Sequence, residues 1–278
     1  ARCALRLLPD TLIVFNEIVK REAMEYADMP EDKIAVCGIP QYDQYVKDAP
    51  SSRKEFFEKN GLDPAKHLLL YSPRGIKFSA SDWAMIDFLH ECISRGEIPN
   101  AQLFARFPPN DFLEEAELSR RPWLKYELPG VRFCSRQDHL IQGAIRSDDW
   151  DMNFGELKRL ADLLAHASVV VGYSSSIIVD AAVFDKPLIA VGFEIKDNLP
   201  LTESPTEYYK TDHFAKALRS GGIHLAKDKK DLIEAINAYI KNPARDRNGR
   251  KRLAEEQCWR LDGKSGERIA EVVFEALK

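Results

Sequence analysis

No apolar run in this sequence approaches the roughly 20 residues that span a bilayer, so no membrane-crossing helix is expected. Basic residues show no surplus: 40 Lys and Arg stand against 44 Asp and Glu, a formal net charge of -4. That balance gives no overall field to attract nucleic acid, and no long basic stripe supplies a local one. Cysteine is sparse, with five scattered residues (Cys3, Cys37, Cys92, Cys134, Cys258) and no C-x-x-C pair. An odd, dispersed set argues against a disulfide framework and a zinc site, and fits reduced core thiols in a cytosolic protein. The histidines suggest no metal cluster. The first residues lack a basic segment followed by an apolar core and a cleavage site, so no signal peptide is expected. Internal repeats and low-complexity segments are absent too.

The 278 residues that remain are 45% hydrophobic, enough for one large core or two smaller ones. TLIVFN (11–16) reads as a strand, EIVKREAMEYAD (17–28) as a helix and KIAVCGI (33–39) as a second strand. One such unit cannot bury both faces of its strands. It either joins the downstream sheet or is the tail of a domain that begins earlier, and the lack of an initiator Met favours the second. PQYDQYVKDAPSS (40–52) carries Pro and Ser and reads as a linker. Residues 1–50 are therefore expected as the end of an amino-terminal domain plus linker, and 51–278 as one further domain.

From residue 67 strands and helices alternate. Strands are expected at 67–72, 101–107, 131–134, 168–172, 188–193 and 222–226, with helices at about 80–95, 111–120, 154–166, 212–219 and 230–241 between them. The end is helical and broken at Asp262–Gly263. Alternation at this spacing indicates a doubly wound, Rossmann-like parallel sheet of the α/β class.

The segment VVVGYSSSIIVDAAVFDKPLIAVGF (169–193) is the most informative. Val169, Val170 and Val171 suit the middle of a parallel sheet. Tyr173 to Ser176 then turn the chain into a helix, with Ser174 or Ser175 as the natural N-cap, and Pro187 ends it before the next strand. Ser174, Ser175 and Ser176 place hydroxyls and free N–H groups at the sheet's carboxy-terminal edge, where open α/β sheets bind ligands and a helix start suits phosphate. Capping alone is the plainer reading, but three serines exceed what a cap needs.

Other candidates also follow strands. Arg74 in Pro73-Arg74-Gly75 could reach a phosphate and Gly75 would let backbone approach it, although Pro-Arg-Gly is also an ordinary turn. Arg106 ends an apolar strand and needs a partner, either a nucleotide phosphate or an internal carboxylate. Asp180 could orient Ser176, pair with Arg106, or simply pack against a neighbouring loop. Glu194 occupies the usual place of an acidic residue that binds ribose hydroxyls. His213, near Gly221-Gly222, is either a helix-start histidine or a phosphate contact or acid/base group. Gly263-Lys264-Ser265-Gly266 looks like part of a P-loop, but Cys258 stands where the first glycine should be and no strand precedes it.

GIPQYD (38–43), RFPPND (106–111), the GYSSSIIVDAAVFDKPLIAV block and DGKSGERIA (262–270) together resemble the carboxy-terminal half of GT-B glycosyltransferases, nearest to the CDP-glycerol glycerophosphotransferase-like and surface-polysaccharide transferase group. The resemblance covers most of residues 30–278 and implies a donor-binding half, with most of the amino-terminal, acceptor-side domain lying outside this sequence. It places Ser174, Ser175 and Ser176 on the donor diphosphate with Arg74 and His213 nearby; Asp180, Glu194, Gly221 and Gly222 are the residues expected toward the nucleoside or sugar. Such enzymes often carry His-Pro where this chain has Phe107-Pro108, which makes Arg106 the substitute for that histidine.

The activity implied is transfer of a sugar or polyol phosphate from a UDP- or CDP-linked donor to a hydroxyl on a glycan or lipid-linked acceptor. It needs no metal or other cofactor and no nucleic-acid partner. The expected location is the cytoplasm, with attachment to the inner face of the membrane left open. The alternatives are a sugar-nucleotide 2-epimerase and a non-catalytic nucleotide-binding or scaffold module.

Overall fold

The computed structural model describes residues 7–135 and 150–278. The chain opens with the expected strand–helix–strand unit: β1 (Leu12–Val14), α1 (Glu17–Ala27) and β2 (Ile34–Val36). Its strands pair in parallel, Leu12 opposite Ile34, and form a sheet of their own instead of joining the larger one. Val14, Ala23, Met29 and Ile34 give the unit a small core. Asn16 caps α1 by accepting the Val19 N–H at 2.9 Å. Its amide also donates to the Gln257 carbonyl at 2.8 Å, tying the unit to the chain's far end.

Residues 40–52 correct the expected linker. A 3-10 turn (Pro40–Tyr42) runs into α2 (Asp43–Lys47), and α3 (Arg53–Lys59) follows with Ser52 as its cap. Tyr42 and Tyr45, one helical turn apart, are both buried, and their rings stack at 5.1 Å. Pro and Ser suggest a loop by composition, but the two tyrosines supply an apolar stripe that packs down.

Beyond these lie β3 (His67–Ser72), α4 (Ser79–Ser94), β4 (Ala101–Arg106), α5 (Glu115–Ser119), β5 (Lys125–Glu127), β6 (Val131–Arg132) and β7 (Trp150–Asp151). Then come α6 (Phe154–His166), β8 (Val169–Gly172), α7 (Ile177–Val183), β9 (Leu188–Val191), α8 (Asp212–Arg219) and β10 (Ile223–Ala226). The chain closes with α9 (Lys229–Lys241), α10 (Arg247–Cys258) and α11 (Ser265–Ala276). Six strands form one parallel sheet in the order β5-β4-β3-β8-β9-β10. The expected strand at 131–134 is not among them. Val131 and Arg132 pair antiparallel with Asp151 and Trp150, outside the main sheet. The sixth place is taken by β5, a short polar edge strand.

Period-two alternation divides the core into two layers. On β3, Leu69 and Tyr71 face a cluster with α4 and α9, while Leu68 and Leu70 face one with α3, α6, α7 and α10. Both sides are covered, which is why β3, β8 and β9 read as near-continuous apolar runs. The strand order reverses between β3 and β8. The loops leaving those two strands diverge there and open a crevice at the sheet's carboxy-terminal edge. No helix among the described residues is long and apolar enough to cross a membrane. Cys37, Cys92 and Cys258 are free and buried, Cys134 is half-buried, and Cys3 lies outside the described residues.

Candidate functional site

The crevice is built from the two loops that the sheet's topology sends to it. After β3 the chain turns through Pro73-Arg74-Gly75, and Gly75 takes φ +98°, in a region that favours glycine. A Cβ there would lie 2.8 Å from Pro108 Cγ, so the loop after β3 packs directly on the loop after β4. Across the crevice, Ser174, Ser175 and Ser176 lead from β8 into α7, passing from buried through half-buried to exposed. The expected side-chain cap is not made. Ser176 holds the cap position with a helical backbone (φ -66°, ψ -21°) and no side-chain bond to the helix.

Arg74 bridges the two loops. Its Nη1 donates to the Ser174 carbonyl and to the Ser174 hydroxyl. The guanidinium lies 4.1 Å from the Tyr208 ring centroid and 4.5 Å from that of Phe78, two rings that meet edge-on. Such aromatic faces hold a cation by their quadrupoles. Burial lowers the Arg74 pKa from its ordinary value, but an arginine stays charged at neutral pH. Arg74, the three serines, Tyr208 and Thr211 line a cleft of about 300 Å³. Tyr208 comes from a 3-10 stretch, Pro205–Lys210, that carried no signal in the sequence.

Behind Arg74 stands Asp82, in the first turn of α4 and only 2% exposed. One of its oxygens accepts the N–H groups of Arg74 and Gly75, at 2.8 and 3.0 Å, and the other accepts the Tyr71 hydroxyl at 2.8 Å. Burial pushes its pKa up to about 7 against the opposing pull of those hydrogen bonds. Sequence reasoning passed over it, since an acidic residue in a helix's first turn is unremarkable.

The remaining expected site residues fall elsewhere. Arg106, 6% exposed, is ion-paired with Glu127, its register partner on β5, so its partner is an internal carboxylate. Burial pushes its pKa down to about 10, and the charges of Glu156 and Asp180 oppose that shift. Asp180 is buried behind the serine turn and accepts the Tyr45 hydroxyl of α2 at 2.9 Å. Glu194 lies at the expected edge, where one oxygen accepts from the Ser204 and Thr206 hydroxyls while the other is buried with no hydrogen-bond partner among the described residues.

Gly221 and Gly222 correct the expectation. They precede β10, at the opposite edge of the sheet, where a Cβ on Gly222 would meet the Arg250 backbone nitrogen at 2.4 Å. Their smallness serves close packing on α10. His213 is the second residue of α8, two residues after the cleft-lining Thr211. Phe107 is core: it is 2% exposed, with its ring 5.4 Å from that of Trp83. Among the described residues no three His, Cys, Asp or Glu gather as they would to hold a metal.

A family model described as CDP-Glycerol:Poly(glycerophosphate) glycerophosphotransferase matches residues 8–275. The chain belongs to this family. Membership agrees with the resemblance carried by the serine block and by the two segments 38–43 and 262–270. The latter pair meet in space, since Asp43 accepts the backbone N–H groups of Ser265 and Gly266 at 3.0 and 2.9 Å.

Among solved structures, the wall teichoic acid polymerase TagF superposes with a TM-score of 0.58 at 14% identity, over 96% of this chain and 58% of that one. The UDP-GlcNAc 2-epimerase of Neisseria meningitidis, bound to UDP-GlcNAc, gives 0.57 at 13% identity, over 96% and 61%. That of Methanocaldococcus jannaschii gives 0.53 at 16% identity, over 96% and 61%. At such identities the likeness is one of fold, and it is the fold expected. This member of the glycerophosphotransferase family spans about 58% of the TagF chain it matches. No curated protein sequence matches it.

Proposed function

We propose that the protein transfers a polyol phosphate from a CDP-linked donor to a hydroxyl acceptor in teichoic-acid-type polymer synthesis, and that this chain holds the donor by its diphosphate. The observation that carries the reading is the meeting of Arg74 with Ser174–Ser176 where the strand order reverses. A guanidinium, exposed and half-exposed hydroxyls and the N–H groups at the start of α7 all favour phosphate oxygens. Family membership supports a CDP-linked donor.

In the step proposed, the acceptor hydroxyl oxygen forms a bond to the polyol-bearing phosphorus and gives up its proton, to His213 where that residue acts as the base and otherwise to solvent. The bond from that phosphorus to the bridging oxygen breaks, and the nucleoside monophosphate leaves with that oxygen and its negative charge. Arg74 and the serine hydroxyls stabilise this charge as it develops, which is the electrostatic contribution a preorganised site makes. We assign His213 to a phosphate contact or to proton transfer from its place at the start of α8. Arg106 is left out of the step, because Glu127 already holds it. The acceptor is proposed to be a glycan or lipid-linked hydroxyl presented at the inner face of the membrane. No cofactor is invoked.

The epimerases share the fold, but an epimerase would need carboxylates facing the cleft. Asp180 bonds to Tyr45, and Asp82 to Tyr71 and to the loop's own backbone.

Calorimetric titration with CDP, UDP, GDP, CMP and inorganic phosphate tests the proposal. CDP should bind, and Ser175→Ala should weaken it at least tenfold, or about 1.4 kcal/mol. Preference for UDP would move the donor to a nucleotide sugar. CDP binding untouched by Ser175→Ala would remove the phosphate site, and no binding by any of them would favour a scaffold.

A further inference from the structure

We infer that Asp82 is the positioning residue of the donor site, holding the Arg74–Gly75 backbone so that the Arg74 guanidinium meets Ser174 across the crevice. The inference rests on reading Arg74 as the donor-phosphate contact.

An acidic residue in the first turn of a helix ordinarily serves its own helix, by complementing the free N–H groups there. Asp82 does something else. Among the described residues it takes no hydrogen bond from α4's own N–H groups and instead turns back onto the loop that precedes the helix. A single oxygen, Oδ2, accepts two successive backbone N–H groups, and this fixes the direction in which the chain leaves Gly75. The other oxygen, Oδ1, is held by the Tyr71 hydroxyl. Tyr71 is itself fully buried, 0% exposed in the layer between the sheet and α4. The carboxylate therefore links a rigid strand to a loop whose next side chain reaches the ligand edge.

The geometry of that loop leaves little freedom to correct an error. Gly75 lies at φ +98° and touches Pro108 from the neighbouring loop, and Arg74 is gripped between Tyr208 and Phe78. Moving the Arg74 backbone would draw the guanidinium away from Ser174, or pull the aromatic clamp with it. When ionised, Asp82 also puts a negative charge close enough to the guanidinium to favour its charged form. A carboxylate buried this deeply is costly unless its oxygens are satisfied, and here the three bonds that satisfy them come from the loop and from Tyr71. A residue placed only for stability would do better as a packed apolar side chain.

The test is a double-mutant cycle read by CDP affinity, with thermal melting of each variant alongside. Asp82→Ala should weaken CDP at least tenfold in the otherwise unchanged protein. In the Arg74→Ala background the same change should cost less than twofold, because the contact it positions is already gone. Asp82→Asn should recover most of the affinity: its amide oxygen can accept both N–H groups while its NH₂ donates to the Tyr71 oxygen. If Asp82→Ala does not fold, Asp82→Ser, too short to reach both N–H groups, takes its place in the cycle. An equal loss in both backgrounds would show that Asp82 acts on the fold at large and overturn the inference. An unchanged affinity in Asp82→Ala, with Arg74→Ala weakened, would overturn it while leaving the donor site intact. If the unmodified protein binds no nucleoside diphosphate, the donor reading itself fails and takes this role with it.

Discussion

Arg74 and Arg106 follow or end neighbouring strands of one sheet, yet only one of them reaches the crevice. Arg106 is still within β4, so the pleat commits it to a face of the sheet, and Glu127 faces it from the adjacent strand in register. Arg74 lies two residues beyond the end of β3, free of the pleat, and the loop carries it across to Ser174. A buried ion pair adds little over apolar packing, but removing one partner strands the other charge. Glu127→Ala should therefore destabilise the protein by about 3 kcal/mol in urea denaturation. Adding Arg106→Met should recover most of that loss. If Glu127→Ala instead left stability within about 0.5 kcal/mol, the range of an ordinary surface change, and tightened CDP binding, Arg106 would return to the donor site.

Two elements far apart in sequence depend on one side chain in a way that no local pattern announces. Asp43, in the first turn of α2, accepts the first two free N–H groups of α11, Ser265 and Gly266. It therefore caps a helix more than two hundred residues away, where an ordinary cap comes from the residue just before. Asp43→Ala should cost about 1 kcal/mol, the usual worth of a cap. The loss should appear first as faster amide exchange at residues 265–268, ahead of the sheet. Uniformly faster exchange across the whole chain would show that Asp43 supports more than this helix end.

The same long reach explains what the sequence could and could not disclose. Val169–Val171 and Leu188–Val191 are apolar throughout because both their faces are covered, so the segment that carries the serines is legible from its own residues. β5, reading Lys125-Tyr126-Glu127, is three residues of polar edge, and nothing in its composition marks a strand. The α2 segment looked like a linker because Pro and Ser outweighed two tyrosines whose burial depends on α6, α7 and α10. At the site, Arg74 and the serines follow apolar strands and so announce themselves. Asp82 and Tyr208 gain their roles only when the chain folds back, and Gly221-Gly222 misled because a glycine pair looks alike at either edge of a sheet.

Across the whole molecule these buried carboxylates set how stability responds to pH. Burial raises the pKa of Asp180 to about 6 and that of Asp82 to about 7, from an ordinary 3.8. Below that ordinary value both the folded and unfolded chains hold the proton, and the contribution to stability is complete. As pH rises, the unfolded chain releases its proton first while the native one retains it, so stability falls from about pH 4 and levels off near pH 6 to 7. For Asp180 the loss is on the order of 3 kcal/mol. His90 and His166, whose pKa values burial lowers, act in the opposite sense over the upper part of this range. Comparison with Asp180→Asn cancels them, because the variant keeps both histidines and can still accept the Tyr45 hydroxyl through its amide oxygen. The unfolding free energy of the variant should decline less between pH 4.5 and pH 7 than that of the unmodified protein, with the gap opening up to about pH 6 and levelling off above it. Parallel curves would mean that Asp180 is already ionised at the acid end, held there by Arg106 more strongly than burial opposes it. The layer of charge beneath the crevice would then be fixed, and the pH response of donor binding would fall to Asp82 alone.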